Sequence, residues 1–390
     1  MKDCTRERIR ELISEAIADG VTAGAAILIR EQGEETFFDV QGRANIERNE
    51  ALRRDHIHRL YSMTKPVTSA AAMILIERGL LDPGTPVKEV LPGYGEDYLL
   101  AGQKMVPSPV PVTVHHLLNM TSGLTYGGME NTAEIRTTQL MYECEKRMRA
   151  GDAVSTMEFA SLVGKLPLAF EPDTSWQYGL SADVLGAVIE AVSGKRFGDF
   201  LESELFGPLG MKDTGFYVPP EKQSRLADVY QSAGNGKMKP FRGDNLLLFY
   251  QRKERPDFES GGAGLVSTID DYSRFAQMLL NDGELDGVRI LRPRTVAYMT
   301  SGNLTPVQER AFHRRFGLYG FTYSHLMRQM RDSGSYTTPG RNGEYGWDSW
   351  TGCYAACFPE ENMSMVFLEQ KAECGTIPLV RKIRSVWLTE

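Results

Sequence analysis

The sequence predicts an α/β protein: one antiparallel sheet assembled from the two ends of the chain, flanked by helices, beside a mainly helical lobe drawn from its middle. Two hairpin patterns at opposite ends carry that expectation. AGAAILIREQGEETFFDVQG gives two apolar runs joined at Gln32-Gly33, and TGCYAACFPEENMSMVFLEQ gives two more joined by Pro359-Glu360-Glu361-Asn362. The third observation is that helical periodicity dominates between them. The expected organisation is a single domain over 1–390, with 1–85 and 280–390 in the α/β lobe and 86–279 in the helical one.

The elements follow in order. MKDCTRERIRELISEAIADG is an amphipathic helix, with Ile9, Leu12, Ile13, Ala16 and Ile17 along one face. After the first hairpin, ALRRDHIHRLYS is an extended lead-in, where His56 and His58 read as structural because no third ligand accompanies them. SMTKPVTSAAAMILIERGL is apolar nearly all round, so it reads as a buried helix starting at Ser62, with Gly79 as its stop. Residues from Leu81 to Val112 are rich in Pro and Gly and predict a long irregular stretch. VTVHHLLNMTSGLTYGG is a short helix ended by Gly123, on which His115 and His116 take core or capping roles. Helical patterns run from Glu134 to Val163, Ser181 to Leu209 and Asp270 to Gly283, and PLVRKIRSVWL closes the chain as an amphipathic helix.

Composition bounds the function. Hydrophobic residues make up 42% and charged residues 24%, ordinary for a globular protein. A net charge of −7 and a pI near 5.6 argue against nucleic acid or an anionic membrane as partner. No apolar run is long enough to span a bilayer, and the first residues lack the apolar core of a signal peptide, so the expected location is cytoplasmic. The odd count of five cysteines fits a reducing compartment. Cys353 and Cys357, four apart on an expected strand, face one side, but no second pair stands by them to complete a metal site.

Three stretches carry chemistry. Ser62 and Lys65, three apart at a helix start, share a face, so a hydroxyl and an amine meet where backbone N–H groups favour negative charge. On its own Ser-x-x-Lys arises by chance about once in such a chain. Tyr178, just before the helix that starts near Ser181, is positioned to project its hydroxyl into a cleft. A phenol titrates near 10, so Tyr178 is a base at neutral pH only if a cation such as Lys65 favours the phenolate. Alternatively burial brings the lysine down to about 7 and makes the amine itself the base. Both assignments are open at this stage. The third stretch, NGEYGWDSWTGCY, is an aromatic and glycine-rich segment leading into an edge strand, whose backbone N–H groups would join that of Ser62 in holding an oxyanion.

Taken together with VTVHHLLNMTSGL, FGPLGMKDTGFYV and GGAGLVSTIDDYSRFAQMLLNDGELDGVRILRPRTV, these stretches resemble the serine β-lactamase-like hydrolases over nearly the whole chain. That group comprises class C β-lactamases, low-molecular-weight penicillin-binding proteins and family VIII carboxylesterases. The resemblance implies the β-lactamase/transpeptidase-like fold. It also implies that Ser62 is acylated, that Lys65 is the motif lysine, and that Tyr178 is the tyrosine of Tyr-x-Asn, which here reads Tyr-Gly-Leu. The third motif falls on Trp347-Asp348-Ser349. Its tryptophan matches the Trp-Gly-Gly of the esterases, and its Asp348 and Ser349 depart from the glycines. Trp350 then supplies the second oxyanion N–H, Trp350-Thr351-Gly352 is a competing register, and Tyr126 resembles a pocket-lining tyrosine. Ser301-Gly302-Asn303 mimics a Ser-x-Asn motif in the wrong segment and reads as a helix-end turn.

The implied activity is hydrolysis through an acyl-enzyme on Ser62, without metal or cofactor. The substrate is a small molecule, either an ester or a β-lactam or peptide-like amide. Trp347 where a lysine would engage a carboxylate favours small acyl esters. The alternative, a β-lactamase, D-alanyl-D-alanine carboxypeptidase or D-amino-acid peptidase, needs Arg59, Arg314, Arg315 or Arg341 as carboxylate anchor. An acyltransferase and a catalytically silent binding module are the remaining readings, and the sequence does not specify an oligomeric state.

Overall fold

The computed structural model describes residues 1–102, 104–234, 236–249 and 254–390. Its helices include α1 (Asp3–Ala18), α2 (Thr64–Glu77), α3 (Val114–Asn119), α4 (Thr132–Arg149), α5 (Thr156–Val163), α6 (Ser181–Ser193), α7 (Ile269–Leu280) and α8 (Pro378–Leu388). The main sheet takes β1 (Gly24–Glu31), β2 (Glu34–Asn45) and β3 (Glu50–Ala51) from the first part of the chain. From the last part it takes β4 (Phe321–Ser324), β5 (Met327–Met330), β6 (Tyr345–Asp348), β7 (Tyr354–Phe358) and β8 (Met363–Glu369). The spatial order is β4-β5-β6-β7-β8-β1-β2-β3, eight strands, antiparallel at every pairing. The two ends of the chain meet at the β1–β8 seam, with Ile27 opposite Phe367 and Leu28 opposite Val366.

Strand β1 shows why the sheet is covered on both sides. Its side chains alternate between faces, and both faces are apolar. Ala25, Ile27 and Ile29 enter a core with Ile9, Ile13, Val380, Ile383 and Trp387 of α1 and α8. Ala26 and Leu28 enter the larger core around α2 and α6. The hairpin turn at Gln32-Gly33 forms as expected, both residues having positive φ (54° and 81°), the pattern of a tight two-residue turn. Helix α7, in the stretch assigned to the helical lobe, lies along the sheet against β8, β1 and β7. No helix among the described residues is long and apolar enough to cross a membrane.

Several sequence expectations need correction. The helix at Val114 ends at Met120, which takes the left-handed conformation itself (φ 58°), and not at Gly123. The Leu81–Val112 stretch is not irregular throughout: Val87–Val90 is a helical turn, and Tyr98–Ala101 pairs with Lys104–Pro107. Short strands of this kind satisfy their backbone groups locally and leave little periodicity to read. The helical pattern from Glu134 to Val163 is two helices, α4 and α5, because Gly151 has positive φ and Ser155 caps a new start. Strand β6 is not the sheet edge, since the hairpin β4–β5, unmarked in the sequence, lies outside it. That pairing runs only through Tyr345 and Gly346, so Trp347 lies beyond it.

Candidate active site

Ser62 does not open the α-helix. It sits in a single 3-10 turn, Tyr61–Met63, that runs into α2 at Thr64. Pro66 fits the first turn of α2, where a missing N–H costs nothing. In the 3-10 turn, as in an α-helix, residues three apart lie on one side, so Ser62 and Lys65 still meet. Tyr61 holds φ 42°, an uncommon conformation for an aromatic residue that stores of order 1–3 kcal/mol. Neighbouring bonds hold it there: Leu60 N–H donates to Leu265 O (2.9 Å), Leu265 N–H to Thr64 Oγ1 (3.1 Å), and the Tyr272 hydroxyl to Met63 O (3.0 Å).

Lys65 is fully buried, and its Nζ lies 3.2 Å from Ser62 Oγ, 3.0 Å from the Tyr126 hydroxyl and 2.8 Å from Gly262 O. A neutral amine has two N–H groups and one lone pair. Gly262 O takes one hydrogen and Tyr126 the other, which leaves the lone pair for the Ser62 hydroxyl proton. Burial drives the Lys65 pKa down from 10.5 to about 7, against the opposing pull of the Asp183 and Asp348 charges.

The Tyr178 hydroxyl is hydrogen-bonded to Ser62 and accepts a bond from Trp347 Nε1 (2.9 Å). Its ring is enclosed by Phe316 (centroids 5.3 Å apart), Tyr126 (5.5 Å) and Trp347 (5.6 Å), with Lys65 Nζ 4.4 Å from its centroid. Burial raises the phenol far above its ordinary value, so Tyr178 is a proton donor at neutral pH.

Of the third stretch, Trp347 is 1% exposed: it lies under Tyr178 instead of lining an open pocket. Asp348 follows it on β6 and, by strand alternation, turns to the opposite face. There it accepts a hydrogen bond from Thr376 and faces the charge of Arg328. The ring of Trp350 packs between Tyr61 (4.8 Å) and Phe241 (5.3 Å), beside the turn that carries Ser62. The competing register puts its residues to structural use. Thr351 Oγ1 donates to Arg59 O (3.0 Å), and a Cβ at Gly352 would lie 2.0 Å from Glu369 Oε1. Ser301-Gly302-Asn303 follows the helix Pro293–Met299 as an irregular segment that begins with a bend at Ser301.

The candidate carboxylate anchors are scattered. Arg59 Nη1 donates to Ala227 O (2.9 Å), Arg341 pairs with Glu361 (3.2 Å) and Leu388 O (2.7 Å), and Arg314 and Arg315 are exposed on the helix Pro306–Phe316. Among the described residues no cluster of three or more His, Cys, Asp and Glu would hold a metal. Cys353 and Cys357 are buried on the α2 side of the sheet, with burial pushing both thiols up to about 12. His58 is buried and neutral, its pKa lowered to about 3, and His116 accepts from Thr113 N–H (3.1 Å) within a capping box.

Sequence reading missed Gly262 and Asp183. Gly262 supplies the carbonyl that receives Lys65, and its signal was the glycine-rich GGAGLVST. Asp183 is 2% exposed near the start of α6, and its signal was a lone acid at the head of an apolar helix.

Comparison with known proteins adds independent findings. The Beta-lactamase family model matches residues 9–375. Esterase EstB of Burkholderia gladioli is 30% identical over 68% of this chain and 68% of its own. Protein Rv1367c of Mycobacterium tuberculosis is 29% identical over 92% of this chain and 88% of its own. Among solved structures, EstCE1, described as a hydrolase with promiscuous acyltransferase activity, superposes with a TM-score of 0.80 at 25% identity, covering 98% of both chains.

Proposed function

The chain belongs to the β-lactamase family, and on that premise we propose that it is a carboxylesterase that cleaves small acyl esters through an acyl-enzyme on Ser62. The observation that carries this reading is the buried amine of Lys65, 3.2 Å from Ser62 Oγ and half neutral near pH 7. Lys65 takes the hydroxyl proton as Oγ attacks the ester carbonyl. The backbone N–H groups of Ser62 and Trp350 hold the resulting oxyanion. Tyr178 gives its proton to the departing alkoxide, which leaves a phenolate beside the Lys65 ammonium, ready to take a proton from the incoming water while Lys65 returns its own to Ser62 Oγ. Water then attacks the acyl carbonyl, its proton passes to the same pair, and Ser62 is released with the carboxylic acid. Of the two bases left open by the sequence, this assignment takes the amine, because the phenol is held neutral by burial.

The neutral indole of Trp347, bonded to Tyr178, supports ester over carboxylate-bearing lactam substrates. The esterase named among the relatives supports the same choice. Alcohols compete with water for the acyl group in this reading, as the activity described for EstCE1 suggests. The test is steady-state hydrolysis of p-nitrophenyl acetate and butyrate against nitrocefin, with fluorophosphonate labelling of wild type and Ser62→Ala. Ester turnover exceeds lactam turnover by a wide margin, and only the wild type is labelled. The reverse ranking, or an unlabelled wild type, rejects the proposal.

A further inference from the structure

The mechanism above gives no role to Asp183, a buried acid whose charge acts on Lys65. Asp183 projects from the first turn of α6, and its Oδ1 accepts both the Ser260 hydroxyl and the Gly262 N–H (3.1 Å). The carbonyl of the same Gly262 accepts Lys65 Nζ at 2.8 Å. One residue therefore bridges acid and amine: its N–H is tied to the carboxylate and its C=O to the lysine. Space around it is tight. A Cβ at Gly262 would lie 2.7 Å from Asp183 Oδ2 and 2.8 Å from the Tyr126 hydroxyl. The loop is clamped on its other side as well, since Thr68 Oγ1 donates to Gly261 O (2.7 Å).

We propose that Asp183 is a positioning residue for Lys65, holding the amine against the Ser62 hydroxyl through the Gly262 peptide and facing it with a negative charge from behind. The proposal rests on the Ser62–Lys65 reading and extends it to a residue that touches neither substrate nor nucleophile. Without this tether the lysine side chain, with four rotatable bonds, would lose the acceptor that aims it. Without the charge the amine would be deprotonated more completely, at the cost of basicity. The groups facing Lys65 are Ser62 on its own turn, Tyr126 after α3, and Tyr178 and Asp183 at the head of α6, while the charge of Asp348 acts from the far face of β6. Of the two charges that hold the Lys65 pKa up against burial, that of Asp183 acts more strongly. Burial raises the Asp183 carboxyl itself, while its two donors and the lysine pull it back.

The experiment is the pH dependence of kcat/KM for p-nitrophenyl butyrate from pH 5 to 9 in wild type, Asp183→Asn, Asp183→Ala and Ser260→Ala. Asparagine keeps the Oδ1 acceptor for both donors and removes only the charge. Its acid limb is expected to move to lower pH by about half a unit to one unit, because removing a negative neighbour lowers an amine pKa. Asp183→Ala also loses the tether, and kcat falls about 10- to 100-fold with little change in KM. Ser260→Ala removes one donor to the carboxylate and lowers kcat several-fold, which keeps the proposal testable if Asp183→Ala does not fold. An Asp183→Asn profile that superimposes on wild type, or moves to higher pH, overturns the proposal. Fluorophosphonate labelling of wild type tests the Ser62 reading separately, so failure of either one is distinguishable from failure of the other.

Discussion

Lys65→Met separates what the active site costs from what it does. A lysine of pKa 10.5 in the unfolded chain that falls to about 7 on folding binds fewer protons in the folded state between those values. Stability therefore rises with pH across the window from 7 to 10.5, and the whole penalty is present below 7. Integration puts the cost of burying Lys65 at about 4 kcal/mol at pH 7 and about 2 kcal/mol at pH 9. Methionine fills a similar volume without charge, and it leaves Gly262 O and the Tyr126 hydroxyl short of a partner, which returns about 1–3 kcal/mol. The variant is expected to be inactive toward esters yet more stable than wild type by about 1–3 kcal/mol at pH 7. That advantage shrinks by about 2 kcal/mol on going to pH 9. Urea denaturation followed by tryptophan fluorescence at pH 6, 7, 8 and 9 measures both curves, and their difference cancels the titrating groups that do not interact with Lys65. If the two stabilities run parallel with pH, Lys65 keeps an ordinary pKa and the argument for a neutral amine base fails.

Two further outcomes follow from named contacts. Trp347→Phe keeps an aromatic ring under Tyr178 but removes the 2.9 Å N–H donor, so kcat should fall about 10-fold with KM within about twofold; an unchanged kcat would show that the bond does not seat the phenol. Arg384 and Glu344 form a bidentate pair at 2.7 Å, 1% and 0% exposed, behind the start of β6. Arg384→Met strands a buried carboxylate and is expected to cost about 3–5 kcal/mol, most of it recovered in Arg384→Met/Glu344→Leu; melting curves with no such recovery would contradict the desolvation argument.

What the sequence determined by itself was the local grammar. Alternating apolar runs around Gln32-Gly33 and Pro359–Asn362 specify hairpins, because a two-residue period with a turn between has few other solutions. An apolar helix carrying Ser62 and Lys65 three apart brings hydroxyl and amine together by helical geometry alone, whether the turn is α or 3-10. Tyr178 was legible through its place just before a helix in a known pattern.

The tertiary structure decided the rest, because it depends on contacts between residues far apart in the chain. The outer hairpin β4–β5 is short, and its strands are buried on both faces, so no alternation marked it. The proposed choice of Lys65 over Tyr178 as base rests on burial: desolvation lowers an amine and raises a phenol, and no pattern of letters states how dry a site is. Trp347 became the support of Tyr178, 169 residues away, only when β6 was laid beside the head of α6. The same holds for Asp183, which reaches Lys65 through a glycine 79 residues further on. Backbone and carboxylate acceptors at that range leave no periodic trace, since the constraint lies in three dimensions and not along the chain.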